Sequence, residues 1–266
     1  MLPQNLRSAW RYRHFILTSI GAEFRSRFAR SRLGALWMIV HPLAQAAIFA
    51  LVLAEVMRAK LPGMAENRHA YPIYLLSGVL AWSLFSEVVT RCLTLFIDNG
   101  TVLKKIQFPR ITLPLIVSGS ALVSNLLLLL AVVLVFSVLG HEPPISVAWL
   151  LLLIPLNLAL ALGVGLILGV FNVFARDVGQ VVPVVLQLGF WVAPIAYTPE
   201  IVPVALRPIL YVNPMTPVVQ AYQNALLFGR SPEFPAMAIL AVVAVVTLSA
   251  ALLLVRRAGP EMADVL

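Results

Sequence analysis

Cysteine and charge are both scarce in this sequence of 266 residues. Cys92 is the single cysteine, so no intrachain disulfide can form and a disulfide-stabilised scaffold is excluded. Charged residues make up 11% of the chain, against ~25% in soluble domains, and hydrophobic residues make up 61%. One soluble core of this size cannot bury so many apolar side chains. The composition therefore excludes a soluble enzyme and a disordered tail, and it predicts an all-α polytopic membrane protein.

Several motifs of catalysis and metal binding are also absent. The sequence has no GxxxxGK[ST] loop to hold ATP phosphates, and it has neither HExxH nor GxSxG. Its four histidines and one cysteine form no zinc-binding pattern, and its acidic residues are dispersed. We therefore expect no catalytic residue, no metal and no cofactor bound by this chain.

Long apolar stretches fill most of the chain. A helix needs ~20 apolar residues to cross a hydrocarbon core of ~30 Å, and this length predicts six transmembrane helices. They run over about residues 34–57, 72–97, 113–139, 147–170, 181–197 and 235–255. The fifth is short and contains Pro183 and Pro194. Residues 1–33 lack a continuous apolar core, so no cleavable signal peptide is expected.

The basic residues predict the orientation of these helices. The net charge of +8 would favour nucleic acid binding in a soluble protein, but here the basic residues follow the loops, so no nucleic acid partner is expected. Thirteen Lys and Arg residues lie on the side of the two termini, and five lie in the loops of the other side. By the positive-inside rule both termini are predicted to be cytoplasmic.

Residues 1–33 are predicted to form a cytoplasmic amphipathic segment at the membrane interface. Leu17, Ile20, Phe24 and Phe28 are spaced three and four apart, which places them along one helical stripe. Arginine and Glu23 occupy much of the remaining surface. Such a helix is typical either of a docking surface for a partner or of a membrane anchor, and periodicity leaves both open.

Residues 198–232 are rich in proline and connect the fifth and sixth predicted spans. Two apolar segments, 200–211 and 215–228, are each too short to cross a membrane. Gly229 suits the end of the second segment. The pattern predicts a re-entrant pair of short helices on the periplasmic side, typical of a gate. A lipid-facing interfacial hairpin is the alternative.

Two further patterns lie inside the spans. Glu87 and Arg91 are four residues apart in the favourable order for an ion pair, which indicates either a pathway lining or a structural helix contact. Gly165 and Gly169 form a GxxxG motif, which predicts close helix packing within the chain or between chains.

Four local patterns now occur together in a defined order. They are FRSRFARSRLGALW at 24–37 followed by His41-Pro42, KKIQFPRITLP at 104–114, FNVFARD at 171–177, and APIAY at 193–197 with NPMTP at 213–217. With these patterns the chain resembles the ABC-2 family membrane subunit that exports lipid-linked polysaccharides of the O-antigen, capsule and teichoic acid type. It most resembles the O-antigen exporters, and the resemblance extends over nearly the whole chain.

This resemblance implies a homodimeric permease of the bacterial inner membrane that works with two copies of a separate ABC ATPase. That ATPase would bind the ATP and Mg²⁺, and the cargo would be a polysaccharide on a polyprenyl diphosphate. The residues that the resemblance assigns to ATPase coupling are Glu23, Arg25, Arg27, Arg30, Lys104, Lys105 and Arg110. Those assigned to the lateral opening for the lipid diphosphate are Arg32, Leu33 and Gly34. Those assigned to the periplasmic gate are Tyr197, Tyr211, Asn213, Pro214 and Tyr222.

A polysaccharide needs a continuous conduit, and sugars bind aromatic faces through their C–H edges. The candidate lining residues are Trp37, Tyr71, Tyr74, Trp82, Phe85, Glu87, Arg91 and Trp191. The aromatic residues among them are equally typical of membrane-interface anchors, and the arginines at 25–32 are equally typical of contacts with anionic lipid.

Three other functions remain open from the sequence. One is an ABC-2 permease for a drug or a smaller lipid. Another is an ion-coupled secondary transporter, which would favour several intramembrane carboxylates, whereas Glu87 is the one deep candidate. The third is a membrane enzyme acting on a lipid diphosphate, which would need a cluster of His, Asp or Arg at one interface.

Overall fold

The computed structural model describes residues 13–28, 36–50, 70–101, 111–138 and 144–265, together with residues 140 and 142. Within this part the chain is helical apart from short turns, and no strand is present. The α-helices are α1 (Arg13–Phe28), α2 (Trp37–Ala50), α3 (Ala70–Asp98), α4 (Thr112–Val138), α5 (Leu150–Phe174), α6 (Val178–Val192), α7 (Arg207–Val212), α8 (Met215–Gln223) and α9 (Phe234–Val265). Short 3-10 turns cover Ile145–Trp149 and Pro199–Ile201, and a π turn covers Asn224–Phe228.

Four helices in the described part are long and apolar enough to cross a membrane. They are Ala70–Asp98, Thr112–Ser137, Ile145–Phe174 and Phe234–Met262, and they match the second, third, fourth and sixth predicted spans. The fifth prediction corresponds to α6, whose 15 residues rise ~22 Å at ~1.5 Å per residue, less than a ~30 Å core. The first prediction is covered by α2 only as far as Ala50, and residues 51–57 lie outside the described part. The all-α membrane fold is confirmed, and the count of six spans stays a prediction.

Helix α3 is the centre of the bundle. It packs against α2, α4, α5 and α8, and 78% of its most apolar stretch is buried. Glycines on α5 allow two of its neighbours to approach closely. A Cβ built on Gly165 would lie 2.8 Å from Cys92 Cβ of α3, and one on Gly163 would lie 2.7 Å from the backbone nitrogen of Leu248 in α9. The small residues of the fourth span therefore mediate helix packing within the chain.

Three asparagines attach α4 and α5 to the backbone of α3. The side-chain amide of Asn125 donates a hydrogen bond to Leu80 O at 3.1 Å. Those of Asn157 and Asn172 donate to Ala81 O and Leu93 O, both at 2.8 Å. All three asparagines are at least 97% buried. A buried amide needs such a partner, because its transfer from water is otherwise unfavourable. These hydrogen bonds hold α3 in a fixed position against α4 and α5.

Candidate transport site

A groove of about 420 Å³ lies between α3 and α6, and we call it the α3/α6 groove. Its aromatic, hydroxyl and amide side chains are Trp82, Ser83, Ser86, Thr90, Gln187, Phe190 and Trp191. The Phe190 ring is edge-on to both tryptophans, with centroids 6.1 Å from Trp82 and 5.6 Å from Trp191. Trp191 remains 51% exposed. The groove therefore presents aromatic surface beside hydroxyl and amide groups.

Local sequence explains this arrangement. A Cβ on Gly189 would lie 2.9 Å from Trp82 Cη2, so a glycine on α6 is needed for the indole to pack against that helix. Ser83 and Ser86 donate their hydroxyl protons to carbonyls one turn back on α3, at 3.0 and 3.3 Å. These bonds stabilise both hydroxyls in an apolar setting and leave their oxygen lone pairs as acceptors along the groove.

The predicted lining residues separate into two sets. Trp82 and Trp191 both line the groove, and Phe85 packs against Trp82 with ring centroids 5.7 Å apart. The other residues line no part of it: Trp37 lies half exposed on α2, Tyr71 and Tyr74 bind a turn after α6, and Glu87 and Arg91 face a different group of helices.

Arg91 belongs to a cluster of polar side chains that joins α1, α3 and α4. Its guanidinium donates from Nη2 to Glu23 Oε1, and its Nη1 lies 3.6 Å from Glu87 Oε1. Ser120 Oγ donates to the other Glu23 oxygen at 2.7 Å. We call Glu23, Glu87, Arg91 and Ser120 the inner charge cluster. The predicted Glu87–Arg91 pair is present, and the cluster corresponds to the helix-contact interpretation of that pair.

Packing beside the cluster brings α1 against α4. Gly119 precedes Ser120, and a Cβ at this position would collide with Ile20 Cδ1 of α1. The side chains of Arg91 and Glu23 are 16% and 27% exposed, so water screens their attraction only in part. Glu23, assigned above to ATPase coupling, thus directs its carboxylate into the bundle.

The other residues predicted for the cytoplasmic side fall outside the side chains that the structure describes. Arg25 and Arg27 lie in the last turns of α1, and only their backbone is described. Arg30, Arg32, Leu33, Gly34, Lys104, Lys105 and Arg110 lie outside the described residues. Their assigned roles stay predictions.

A turn at residues 193–197 follows α6 and is bound by tyrosines of α3. Tyr74 Oη lies 3.0 Å from the carbonyl oxygens of both Pro194 and Tyr197, and Tyr71 donates to Ala196 O at 2.8 Å. Gln223 of α8 also donates to Pro194 O, at 3.0 Å. These four contacts give three carbonyls of a non-helical segment inside the bundle their hydrogen-bond partners. Tyr71 and Tyr74 therefore act as structural anchors.

The proline-rich segment contains two short helices, α7 and α8. The first is shorter than predicted, because residues 200–206 form a 3-10 turn and a loop before α7 begins at Arg207. Asn213 connects them: its side-chain oxygen accepts from Met215 N at 3.0 Å, and its amide donates to Gly189 O at 3.3 Å. Thr216 donates its hydroxyl proton back to Leu210 O of α7. Gly229 adopts a positive φ of 65°, which confirms its predicted position at the end of the second segment.

The predicted gate residues have different environments. Tyr222 is fully buried, and burial raises the pKa of its phenol, so this side chain stays neutral. Tyr197 donates to Val192 O at 2.8 Å. Pro214 directly precedes α8, and Tyr211 on α7 is 59% exposed.

A second cavity of about 530 Å³ lies beside this hairpin, and we call it the outer cleft. It is lined by residues 198–200, by α7 and α8 with the π turn, by Tyr74 of α3 and by residues 230–237 around the beginning of α9. Its polar and aromatic side chains are Tyr74, Thr198, Glu200, Tyr211, Gln220, Gln223, Asn224, Phe228, Arg230, Ser231 and Glu233. It shares no lining residue with the α3/α6 groove.

Sequence reasoning missed several of these residues. Gln187 and Phe190 of the groove lie on the same helical face as the predicted Trp191, so spacing along α6 could have indicated them. Ser120 and the three interhelical asparagines give no local signal, because their partners are distant in the chain. Among the described residues, no group of three or more His, Cys, Asp or Glu side chains could hold a metal.

Comparison with known proteins finds one matching family and several named relatives. Residues 14–227 match the family described as ABC-2 type transporter. The chain is 29% identical over 211 residues to an O-antigen export system permease protein RfbA of Klebsiella pneumoniae, with 78% of each chain covered. A Myxococcus xanthus permease of the same name is 27% identical over 248 residues, covering 92% of this chain and 93% of the relative. The Escherichia coli polysialic acid transport protein KpsM is 26% identical over 243 residues, covering 88% and 89%.

Proposed function

The chain belongs to the ABC-2 type transporter family, and we propose that it is the transmembrane subunit of an ATP-driven exporter of lipid-linked polysaccharide. The cargo class is inferred from relatives named for O-antigen export and polysialic acid transport. The expected polysaccharide resembles O-antigen and is attached to a polyprenyl diphosphate.

The α3/α6 groove is the observation that supports this cargo best. A glycan has C–H edges that bind aromatic faces and hydroxyl groups that need hydrogen-bond partners. Trp82 and Trp191 supply the aromatic faces, and Ser83, Ser86, Thr90 and Gln187 supply the partners. A drug or a small lipid would favour a more apolar and enclosed site. We therefore assign the groove as one wall of the glycan conduit.

A groove open on one side needs a second wall, and we propose that another copy of the chain supplies it. Val181, Val184 and Leu188 on α6 are each more than half exposed and extend the apolar surface beside the groove. Closure by a second copy around a two-fold axis would place two grooves face to face and form a conduit wide enough for a polysaccharide.

Energy for transport would come from two copies of a separate ABC ATPase, which binds ATP and Mg²⁺. Arg25, Arg27 and Arg30 of the amphipathic segment and Lys104, Lys105 and Arg110 of the second cytoplasmic loop are the proposed docking residues. The inner charge cluster supports a more specific role for Glu23. Through Arg91, movement of α1 would be passed to α3, whose other side chains line the groove. Glu23 would then contribute to the coupling between ATP hydrolysis and transport by positioning α3, and not by contacting the ATPase.

The remaining assignments follow from this function. The proposed function predicts six spans, both termini in the cytoplasm and a location in the bacterial inner membrane. Arg32, Leu33 and Gly34 would lie beside the lateral opening, where arginine can bind a diphosphate. The α7–α8 hairpin with Tyr197 and Tyr211 would close the conduit on the periplasmic side.

Single cysteines introduced into Cys92→Ser protein, at exposed Ser231 and exposed Arg176, test the proposed orientation of the chain in the membrane. An impermeant thiol reagent should label Ser231→Cys from outside and leave Arg176→Cys unlabelled.

Deletion of the gene tests the function. Glycan synthesis should continue, while lipid-linked glycan accumulates inside the cell and disappears from the surface. Wild-type protein should restore surface glycan. The Trp191→Ala variant should restore about fivefold less surface glycan, because a lost aromatic contact costs ~1 kcal/mol. Trp149→Ala is the matched control, since Trp149 packs on Phe234 and lies outside the groove. Full surface glycan after deletion, with no second exporter present, would contradict the proposed cargo.

A further inference from the structure

The outer cleft contains polar side chains that the fold does not use. In the described part of the chain, no ion pair or hydrogen bond involves the carboxylates of Glu200 and Glu233 or the amide of Gln220. Thr198 is 9% exposed, and its buried hydroxyl has no hydrogen-bond partner there. Buried polar groups are normally paired, so an unpaired hydroxyl beside a cavity indicates a missing partner.

Aromatic rings lie beside these polar groups. Tyr211 is 59% exposed at the rim, and Tyr74 meets Phe228 edge-to-face with centroids 6.4 Å apart. The guanidinium carbon of Arg230 lies 5.8 Å from the centre of the Phe228 ring, where cation–π attraction holds it. The cleft is therefore concave and part aromatic, with donors and acceptors on several sides.

This chemistry selects among ligand classes. A phosphate or other anion is disfavoured by the two carboxylates, and a bare cation is disfavoured by Arg230. An apolar ligand would leave the amides and carboxylates unpaired. A sugar matches the cleft, because each hydroxyl both donates and accepts, and its C–H face can stack on Tyr211. The volume of about 530 Å³ falls in the ~300–1,000 Å³ range of small-molecule sites.

We propose that the outer cleft is a saccharide-binding site, separate from the α3/α6 groove, that holds a short stretch of the exported glycan where it leaves the conduit. This inference rests on the proposed function and its orientation. Two carboxylates and one guanidinium make the site acidic, so it should select neutral or amino sugars over polyanionic chains.

The test uses the full-length chain with Cys92→Ser in lipid nanodiscs. A nitroxide is attached at Ser231→Cys on the cleft rim, and, in a second sample, at Arg176→Cys beyond the far end of α5. The probes are mannotriose (neutral), a chitosan trimer (cationic) and an α2,8-linked sialic acid trimer (anionic). Paramagnetic relaxation of the probe protons reports binding near each label.

Mannotriose and the chitosan trimer should relax faster with the label at Ser231 than with the label at Arg176. The sialic acid trimer should bind about tenfold more weakly, and the Glu200→Gln/Glu233→Gln double variant should remove most of that difference. Gln220→Ala and Tyr211→Ala should weaken mannotriose binding about fivefold to tenfold, since each loses one hydrogen-bonding or stacking contact. Gln180→Ala is the matched amide control and should leave the Ser231 signal unchanged, because Gln180 is exposed on α6 and lines neither cavity.

Equal relaxation from the two labels for every probe would overturn the inference, as would unchanged binding in Gln220→Ala and Tyr211→Ala. Tighter binding of the sialic acid trimer would overturn the stated selectivity. Tyr211→Phe keeps the ring and should bind normally, which separates lost stacking from misfolding. The two proposals fail separately: loss of surface glycan on gene deletion, together with no binding at the cleft, would reject this inference alone.

Discussion

The inner charge cluster and the outer cleft place charged side chains in opposite situations. Arg91 lies between Glu23 and Glu87, and the side chains of Arg91 and Glu23 are mostly buried among three helices. Glu200, Arg230 and Glu233 are exposed around a cavity, and no ion pair joins them in the described part of the chain. A charge away from water requires a partner from the protein, whereas a charge that water reaches stays available for a ligand. Charge at the first site therefore supports the fold, and charge at the second supports binding.

The largest effect should follow from Arg91→Met. This change takes away the positive charge that faces Glu23 and Glu87. Removal of one partner from a fully buried ion pair lowers the free energy of unfolding by ~3–5 kcal/mol, and partial exposure should reduce this loss to about 2–3 kcal/mol. Unfolding of the reconstituted protein in mixed SDS micelles measures it.

The double variant Glu23→Gln/Arg91→Met sharpens this test. It also removes the carboxylate nearest to Arg91, so it should recover more than half of the lost stability. A single Arg91→Met variant that unfolds like wild type would mean that the cluster does not hold α1 against α3.

Ser120→Ala should have a smaller effect. The variant removes one hydrogen bond of 2.7 Å to Glu23 and keeps the Arg91 ion pair. Hydrogen bonds to charged groups contribute ~1.5–3 kcal/mol at most, so we expect a loss of about 1 kcal/mol at this partly exposed carboxylate. Ser137→Ala is the matched control on α4, because Ser137 is exposed and bonds only its own helix. Equal losses of stability in the two variants would show that Ser120 does not stabilise the inner charge cluster.

Asn172→Ala tests a neutral polar contact between α5 and α3. The amide donates to Leu93 O of α3 at 2.8 Å. Hydrogen bonds between membrane helices contribute ~0.6 kcal/mol on average, so the expected loss is about 0.6 kcal/mol, smaller than for either change above. The same unfolding titration measures it, and a loss larger than that of Arg91→Met would reverse the order proposed here.

The smallest effect on stability should come from Glu200→Gln/Glu233→Gln. Both carboxylates are exposed and unpaired in the described part of the chain, so the change should stay within ~0.5 kcal/mol. The selectivity of the outer cleft against anionic sugars should nevertheless weaken, as relaxation of the sialic acid trimer would report. A loss of several kcal/mol would show that these carboxylates support the fold, and the contrast between the two regions would disappear.

Several features of this protein could be predicted from local sequence. Hydropathy located α3, α4, α5 and the start of α9 to within a few residues, because the membrane requires long apolar helices. The Glu87–Arg91 pair followed from helical spacing alone. Proline positions indicated the two short helices after α6, although the first begins at Arg207 and not at residue 200, and Gly229 marked where the second segment ends.

Other features depended on partners that no local pattern identifies. Tyr71 and Tyr74 were predicted as conduit aromatics, yet their hydroxyls bind carbonyls more than a hundred positions away. Trp82 and Trp191 are also aromatic residues of apolar helices, and both do line the groove. An aromatic residue near a membrane surface can anchor, pack or line a path, and only its neighbours decide which.

The sequence by itself determined the class of protein, the apolar helices and the elements rich in proline or glycine, because these depend on solvent and on backbone geometry near each residue. Only the tertiary structure decided that Glu23 pairs with Arg91, that Gly165 packs within the chain, and that Glu200 and Glu233 surround a cavity. Pairing energies depend on distance and burial, and both arise when helices from distant parts of the chain come together.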